Sequence, residues 1–163
     1  MDGWDLTTSK NELAGRRVHW NDVYLAKSEA EVSWFEKTPA VSIYLLHLVG
    51  ARSEDAIIDI GGGASRLVDH LLELGFRDVT VLDLSETALA TARVRLGARA
   101  SNVGWITADV TRWAPDRTYD IWHDRAALHF LIDPADQAAY VARLDMALRI
   151  GGRAIIGTFA PDG

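Results

Sequence analysis

The chain has 163 residues, 48% hydrophobic and 25% charged, with a formal net charge of −6. That length supports one domain with a real core, and no apolar run approaches the ~20 residues of a membrane span. The acidic balance argues against DNA or structured RNA as a partner, and the lack of cysteine excludes disulfides, thiolate metal sites and a cysteine nucleophile.

The start, Met1-Asp2-Gly3-Trp4-Asp5, has neither the basic nor the apolar stretch of a secretion signal, so the expected location is cytoplasmic. From Val18 the pattern turns helical, with Trp20, Val23 and Tyr24 on one face. Thr38-Pro39 predicts the start of a further helix, with threonine as N-cap, and Val41, Tyr44, Leu45, Leu48 and Val49 predict its inward face up to Gly50. Residues 56–60 read as a buried strand, followed by an amphipathic helix over 65–74 with Leu67, Val68, Leu71, Leu72 and Leu74 as its apolar residues, closed by Gly75. A second strand spans 79–82, and Ser85 caps a helix with Leu89, Ala92 and Leu96 on one face. Arg93, Arg95 and Arg99 read as the solvated side of that helix. A third strand spans 103–107 and a fourth 119–122. Asp133-Pro134 opens a helix with Val141, Leu144 and Leu148 inward, ended by Gly151-Gly152, and a fifth strand spans 153–159. This alternation predicts an α/β fold, a doubly wound and mostly parallel sheet with helices on both faces. Residues 1–50 are expected to form a helical lid segment and 51–163 the sheet core, one domain overall.

The stretch that carries chemistry is Asp59-Ile60-Gly61-Gly62-Gly63-Ala64-Ser65, between the first strand and its helix. Glycines there allow a ligand to approach the backbone at a helix N-terminus, which suits a nucleoside cofactor. A dinucleotide fingerprint needs a third small residue where Arg66 stands, so an NAD-type oxidoreductase is the weaker alternative. Asp83 ends the second strand and can accept hydrogen bonds from both ribose hydroxyls. Asp109, after the third strand, can accept from the amino group of adenine. The fourth strand runs into a stretch at the crevice end of the sheet whose His123, Asp124, Arg125 and His129 are candidates for the reacting centre, with Asp124 and Arg125 also readable as helix caps and His129 as a core histidine. His123 and Asp124 are therefore the candidate catalytic residues, able to take a proton from an acceptor that starts protonated. Five scattered histidines show no metal-ligand spacing, and no metal is expected.

Taken with Val81-Leu82-Asp83-Leu84-Ser85 and Ala108-Asp109-Val110, the glycine stretch resembles the class I S-adenosylmethionine-dependent methyltransferases, over roughly residues 57–159. The resemblance implies a Rossmann-like core and S-adenosyl-L-methionine as cofactor. By it, Gly61, Gly62, Gly63 and Ser65 would hold the methionine part, and Asp59 would fix the turn or reach the methionine amine. Asp83 would hold the ribose, Leu84 and Val110 would sandwich adenine, and Asp109 would bind its amino group. The N-terminal aromatics, Trp34 above all, would cover the cofactor, with His123 beside it. That segment resembles the lids of thiopurine and thiol methyltransferases and of elongation-factor lysine methyltransferases. The expected acceptor is a small-molecule thiol or other heteroatom, with a protein lysine as the alternative; a non-catalytic cofactor-binding module is the third reading. Family members usually continue past the fifth strand with a helix and antiparallel strands, which this sequence lacks. An uncovered edge over residues 154–159 would then invite a homodimer, unless the chain is a shortened one.

Overall fold

A computed structural model describes residues 15–22, 38–125 and 127–158. Its centre is one five-stranded parallel sheet of β1 (Ile57–Ile60), β2 (Val79–Asp83), β3 (Val103–Thr107), β4 (Tyr119–Asp124) and β5 (Leu148–Ile156), in the order β3-β2-β1-β4-β5. The helices are α1 (Ala40–Leu48), α2 (Leu67–Glu73), α3 (Glu86–Leu96) and α4 (Pro134–Ala147), with 3-10 turns at Gly97–Asn102 and Leu128–Phe130. Residues 15–22 are helical as well.

Every residue of β1 and β2 is buried, as expected of strands covered on both faces. Alternation along β1 feeds two cores. Ile57 joins Leu67, Val68, Leu71, Leu89 and Leu96 of α2 and α3 on one face. Ile58 and Ile60 join Trp113, Trp122, Tyr140 and Ala147 on the other, under α4. Winding outward in both directions from β1 makes a switch point between β1 and β4, and the crevice lies at the carboxyl ends of the strands there.

Caps account for two helix starts. Ser85 Oγ accepts the Ala88 amide at 3.2 Å, and Asp133 accepts the Ala135 amide at 2.8 Å ahead of Pro134. Four helical expectations need correction. α1 begins at Ala40 with Pro39 at the cap position and no side-chain cap, so Thr38 lies outside it. Its inward residues are Ser42 and Leu46, while Val41, Tyr44 and Leu48 are 60–64% exposed. In α4 the inward stripe is Tyr140, Leu144 and Ala147, and Val141 points out. α4 also stops at Ala147, and β5 begins at once at Leu148 rather than at Arg153. The register against β4 jumps from Tyr119↔Leu148 to Ile121↔Arg153, so residues 149–152 bulge from the edge, with Gly151 at φ +80°. Arg153 then donates to the Val49 and Gly50 carbonyls at 2.6 and 3.0 Å, docking the end of α1 against β5.

Candidate cofactor site

Between β1 and α2 the chain turns through Gly61 (φ +66°) and Gly63 (φ +37°), conformations that suit glycine. Space forbids side chains there as well. A Cβ on Gly61 would lie 2.9 Å from the Ala127 Cβ, and one on Gly62 would lie 2.5 Å from Asp59 Oδ2. Ser65 Oγ accepts the Leu67 amide at 3.1 Å, closing the turn onto α2.

A cleft opens above this turn, lined by Gly61, Leu82, Asp83, Leu84, Asp109, Val110, Ala127 and Leu131. Arg16 and Trp20, from helical residues 15–22, and Phe130 complete its wall. Counting space open to solvent, the cleft spans about 780 Å³. Trp20 meets Phe130 edge-on at 4.8 Å, and Asn21 Oδ1 accepts the Ser85 hydroxyl at 2.7 Å, which ties the 15–22 helix to the rim.

Two of the three strand-end carboxylates reach the cleft. Asp83 accepts the Ser85 amide at 2.7 Å. Burial pushes its carboxyl up to about 7, the negative charge of Asp59 adds to the rise, and the amides of Ser85, Gly63 and Leu84 pull it back. Asp109 Oδ1 accepts the Thr111 amide and hydroxyl at 2.8 and 2.7 Å. Its Oδ2 is buried with no hydrogen-bond partner among the described residues, and the Arg16 guanidinium stands 3.5 Å away. A buried carboxylate oxygen with a cation at 3.5 Å but no hydrogen bond gains most from a ligand that donates to it. Leu84 and Val110 flank it as apolar surfaces.

His123, Asp124 and Asp59 lie beneath the cleft rather than in its wall. His123 Nδ1 is 2.7 Å from Asp59 Oδ1 and its Nε2 is 3.0 Å from Ser42 Oγ, so both ring nitrogens are engaged. Asp124 is 0% exposed and accepts the Tyr140 hydroxyl at 2.7 Å and the amides of Ala127 and Leu128 at 2.7 and 3.1 Å. Burial raises its carboxyl above the usual range against the pull of these donors. Trp122 Nε1 donates to the same Tyr140 hydroxyl at 2.8 Å. This network fixes the loop that carries Ala127 and Phe130. Trp34 and Phe35 lie outside the described residues.

Arg95 corrects the reading of its helix as a solvated basic face. Its guanidinium forks onto Asp69 at 2.7–3.1 Å and donates to the Ala64 and Ser65 carbonyls at 3.0 and 2.8 Å. It therefore braces the far side of the glycine turn, a role that linear spacing could not reveal because the partners sit 26–31 residues away.

A family profile described as a methyltransferase domain matches residues 57–152. The chain belongs to the methyltransferase domain family. It is a class I S-adenosylmethionine-dependent methyltransferase domain, and the family's cofactor is S-adenosyl-L-methionine. Among curated relatives, the eEF1A lysine and N-terminal methyltransferase of Mus musculus is 22% identical over 156 residues, covering 91% of this chain and 22% of that protein. Trans-aconitate 2-methyltransferase of an Acidovorax species is 31% identical over 144 residues, covering 88% of this chain and 50% of that protein. The chain thus spans between about a fifth and a half of the length of these relatives. Among solved structures, the glycopeptide N-methyltransferase MtfA complexed with sinefungin superposes with a TM-score of 0.65 at 23% identity, over 76% of this chain and 54% of that one. This methyltransferase domain shares its fold with that enzyme. Asp109 Oδ2, which has no hydrogen bond among the described residues, and a turn in which Gly61 and Gly62 leave no space for a Cβ fit the family's cofactor.

Proposed function

We propose that this methyltransferase domain transfers a methyl group from S-adenosyl-L-methionine to a heteroatom of a small-molecule acceptor. The observation that carries the reading is the pair of cleft carboxylates, Asp83 and Asp109, set beside a glycine turn at the switch point of the sheet. Asp83 takes the ribose hydroxyls, Asp109 Oδ2 the adenine amino group, and Leu84 and Val110 the faces of the base. The backbone at Gly61, in the wall of the cleft, faces the methionine part.

The bound cofactor supplies an activated methyl and its own leaving group. What the chain supplies is alignment and exclusion of water, which suffices for an in-line displacement by an acceptor that arrives as a thiolate, a carboxylate or an unprotonated amine, the amine giving its surplus proton to solvent after transfer. Trp20, Phe130 and Leu131 form the apolar wall against which an acceptor lies. His123 and Asp124 serve that wall and the turn from beneath; neither lines the cleft, so neither meets the acceptor to take its proton. A second reading, methylation of a protein lysine, is favoured by the similarity to the eEF1A lysine and N-terminal methyltransferases along 91% of this chain.

Calorimetry with S-adenosylhomocysteine tests the site. Asp83→Ala and Asp109→Ala are each expected to weaken binding by about 1–3 kcal/mol, the cost of a lost hydrogen bond to a charged group. Unchanged affinity in both variants would refute the assignment. Transfer of labelled methyl to a panel of thiols, amines and carboxylates, set against transfer to lysate proteins, separates the two acceptor classes.

A further inference from the structure

Ser42, His123 and Asp59 form a buried chain that the transfer chemistry does not use. Ser42 Oγ lies 3.0 Å from His123 Nε2, and His123 Nδ1 lies 2.7 Å from Asp59 Oδ1. One assignment satisfies every atom: the Ser42 hydroxyl donates to Nε2, and the Nδ1 proton is donated to the carboxylate. The order is that of a nucleophile, a base and an orienting acid. However, the three residues are only 2–3% exposed and none lines the cleft, so no substrate carbonyl meets Ser42. Acyl transfer is ruled out by access, and the chain must do its work through what it holds.

What it holds is Asp59. With Oδ1 engaged by His123, Oδ2 is turned under the glycine turn, where a Cβ on Gly62 would stand 2.5 Å from it. The charge of Asp59 is also felt at Asp83, so its placement bears on the carboxylate that faces the ribose. Ser42 belongs to α1, no residue of which lines the cleft. A serine on the inward stripe of a mostly apolar helix costs desolvation unless its hydroxyl is bonded, and among the described residues its partner is His123.

We infer that Ser42 is a positioning residue for the cofactor site, acting through His123 to fix the Asp59 carboxylate beneath the glycine turn. The inference rests on the cofactor reading above and adds to it a control point in α1. Ser42→Ala removes one buried hydrogen bond at nearly constant volume. It should weaken S-adenosylhomocysteine binding about threefold to tenfold. Asp59→Asn should weaken binding too, and adding Ser42→Ala to Asp59→Asn should cost little more, because both break one chain. Ser42→Thr, which restores the hydroxyl, should recover most of the affinity.

Thermal melts of each variant separate loss of binding from loss of fold. An independent readout uses the wild-type chain labelled with 15N-histidine. His123 should show a protonated Nδ1 and a bare, accepting Nε2, and S-adenosylhomocysteine should shift both signals. Wild-type affinity in Ser42→Ala, additive losses in the double variant, or histidine signals indifferent to ligand would each overturn the inference while leaving the cofactor assignment standing. No binding of S-adenosylhomocysteine by the wild-type chain would overturn both.

Discussion

Asp83 sets a tension between stability and ligand recognition. Its carboxyl, lifted to about 7 in the folded chain against about 4 in a peptide, binds a proton more readily folded than unfolded. Its contribution to stability is therefore fully present below about pH 4 and fades as the pH rises through about 7. Ligand binding runs the opposite way, because the ionised carboxylate is the better acceptor for two hydroxyls. Affinity for S-adenosylhomocysteine is expected to climb by up to about tenfold per pH unit below 7 and to level off above it. Asp83→Asn should flatten that profile, weaken binding, and melt higher than wild type at pH 8, where the buried charge is gone. Calorimetry and melting curves between pH 5.5 and 8.5 check both signs. Tyr140 gives a second test at this scale. Its hydroxyl joins Trp122 to Asp124, so Tyr140→Phe should cost about 1–3 kcal/mol of stability, read by chemical denaturation.

Among the elements, Arg95 carries the clearest expectation. Cutting its fork to Asp69 and to two carbonyls of the glycine turn leaves a carboxylate of 11% exposure unpaired. Arg95→Met should destabilise the chain by about 2–4 kcal/mol and also weaken S-adenosylhomocysteine, whereas Arg99→Met, on an exposed partner to Glu73, should do neither. The contrast shows where the sequence was legible. Strands β1 to β4, the Ser85 and Asp133 caps and the Asp83 and Asp109 positions follow from local signals, namely apolar runs, capping oxygens and acids at strand ends, whereas the first residues of β5 read as helix. Arg95, Ser42 and Tyr140 act across the fold, and nothing within a few residues of them announces a partner. Helix faces failed for a different reason. α1, with Ala, Val, Ile, Tyr and three Leu in nine residues, is apolar nearly all round and carries little directional information. In α4 the stripe of Tyr140, Leu144 and Ala147 competes with Val141, and a hydroxyl-bearing ring proved the buried one because Asp124 and Trp122 satisfy its oxygen.

At the scale of the whole molecule, β5 pairs only with β4 among the described residues, and Ile150 and Ile156 are exposed along it. The bulge at 149–152 blunts one end of this edge but leaves the stretch up to Ile156 open. Edge-to-edge pairing between two copies is the expected outcome, with a concentration-dependent dimer in sedimentation velocity that Ile156→Lys abolishes; a monomer at all concentrations would refute it. Intramolecular architecture makes a different demand. Because a methyl group at residue 61 would press within 2.9 Å of the Ala127 Cβ, the floor that seats the donor and the rim that confronts the acceptor abut at one point. They share a hinge pin one carbon wide. On the proposed reading, thickening it would lever donor and acceptor apart and misalign the displacement without touching either reactant, so the smallest side chains of this domain would guard the fidelity of transfer.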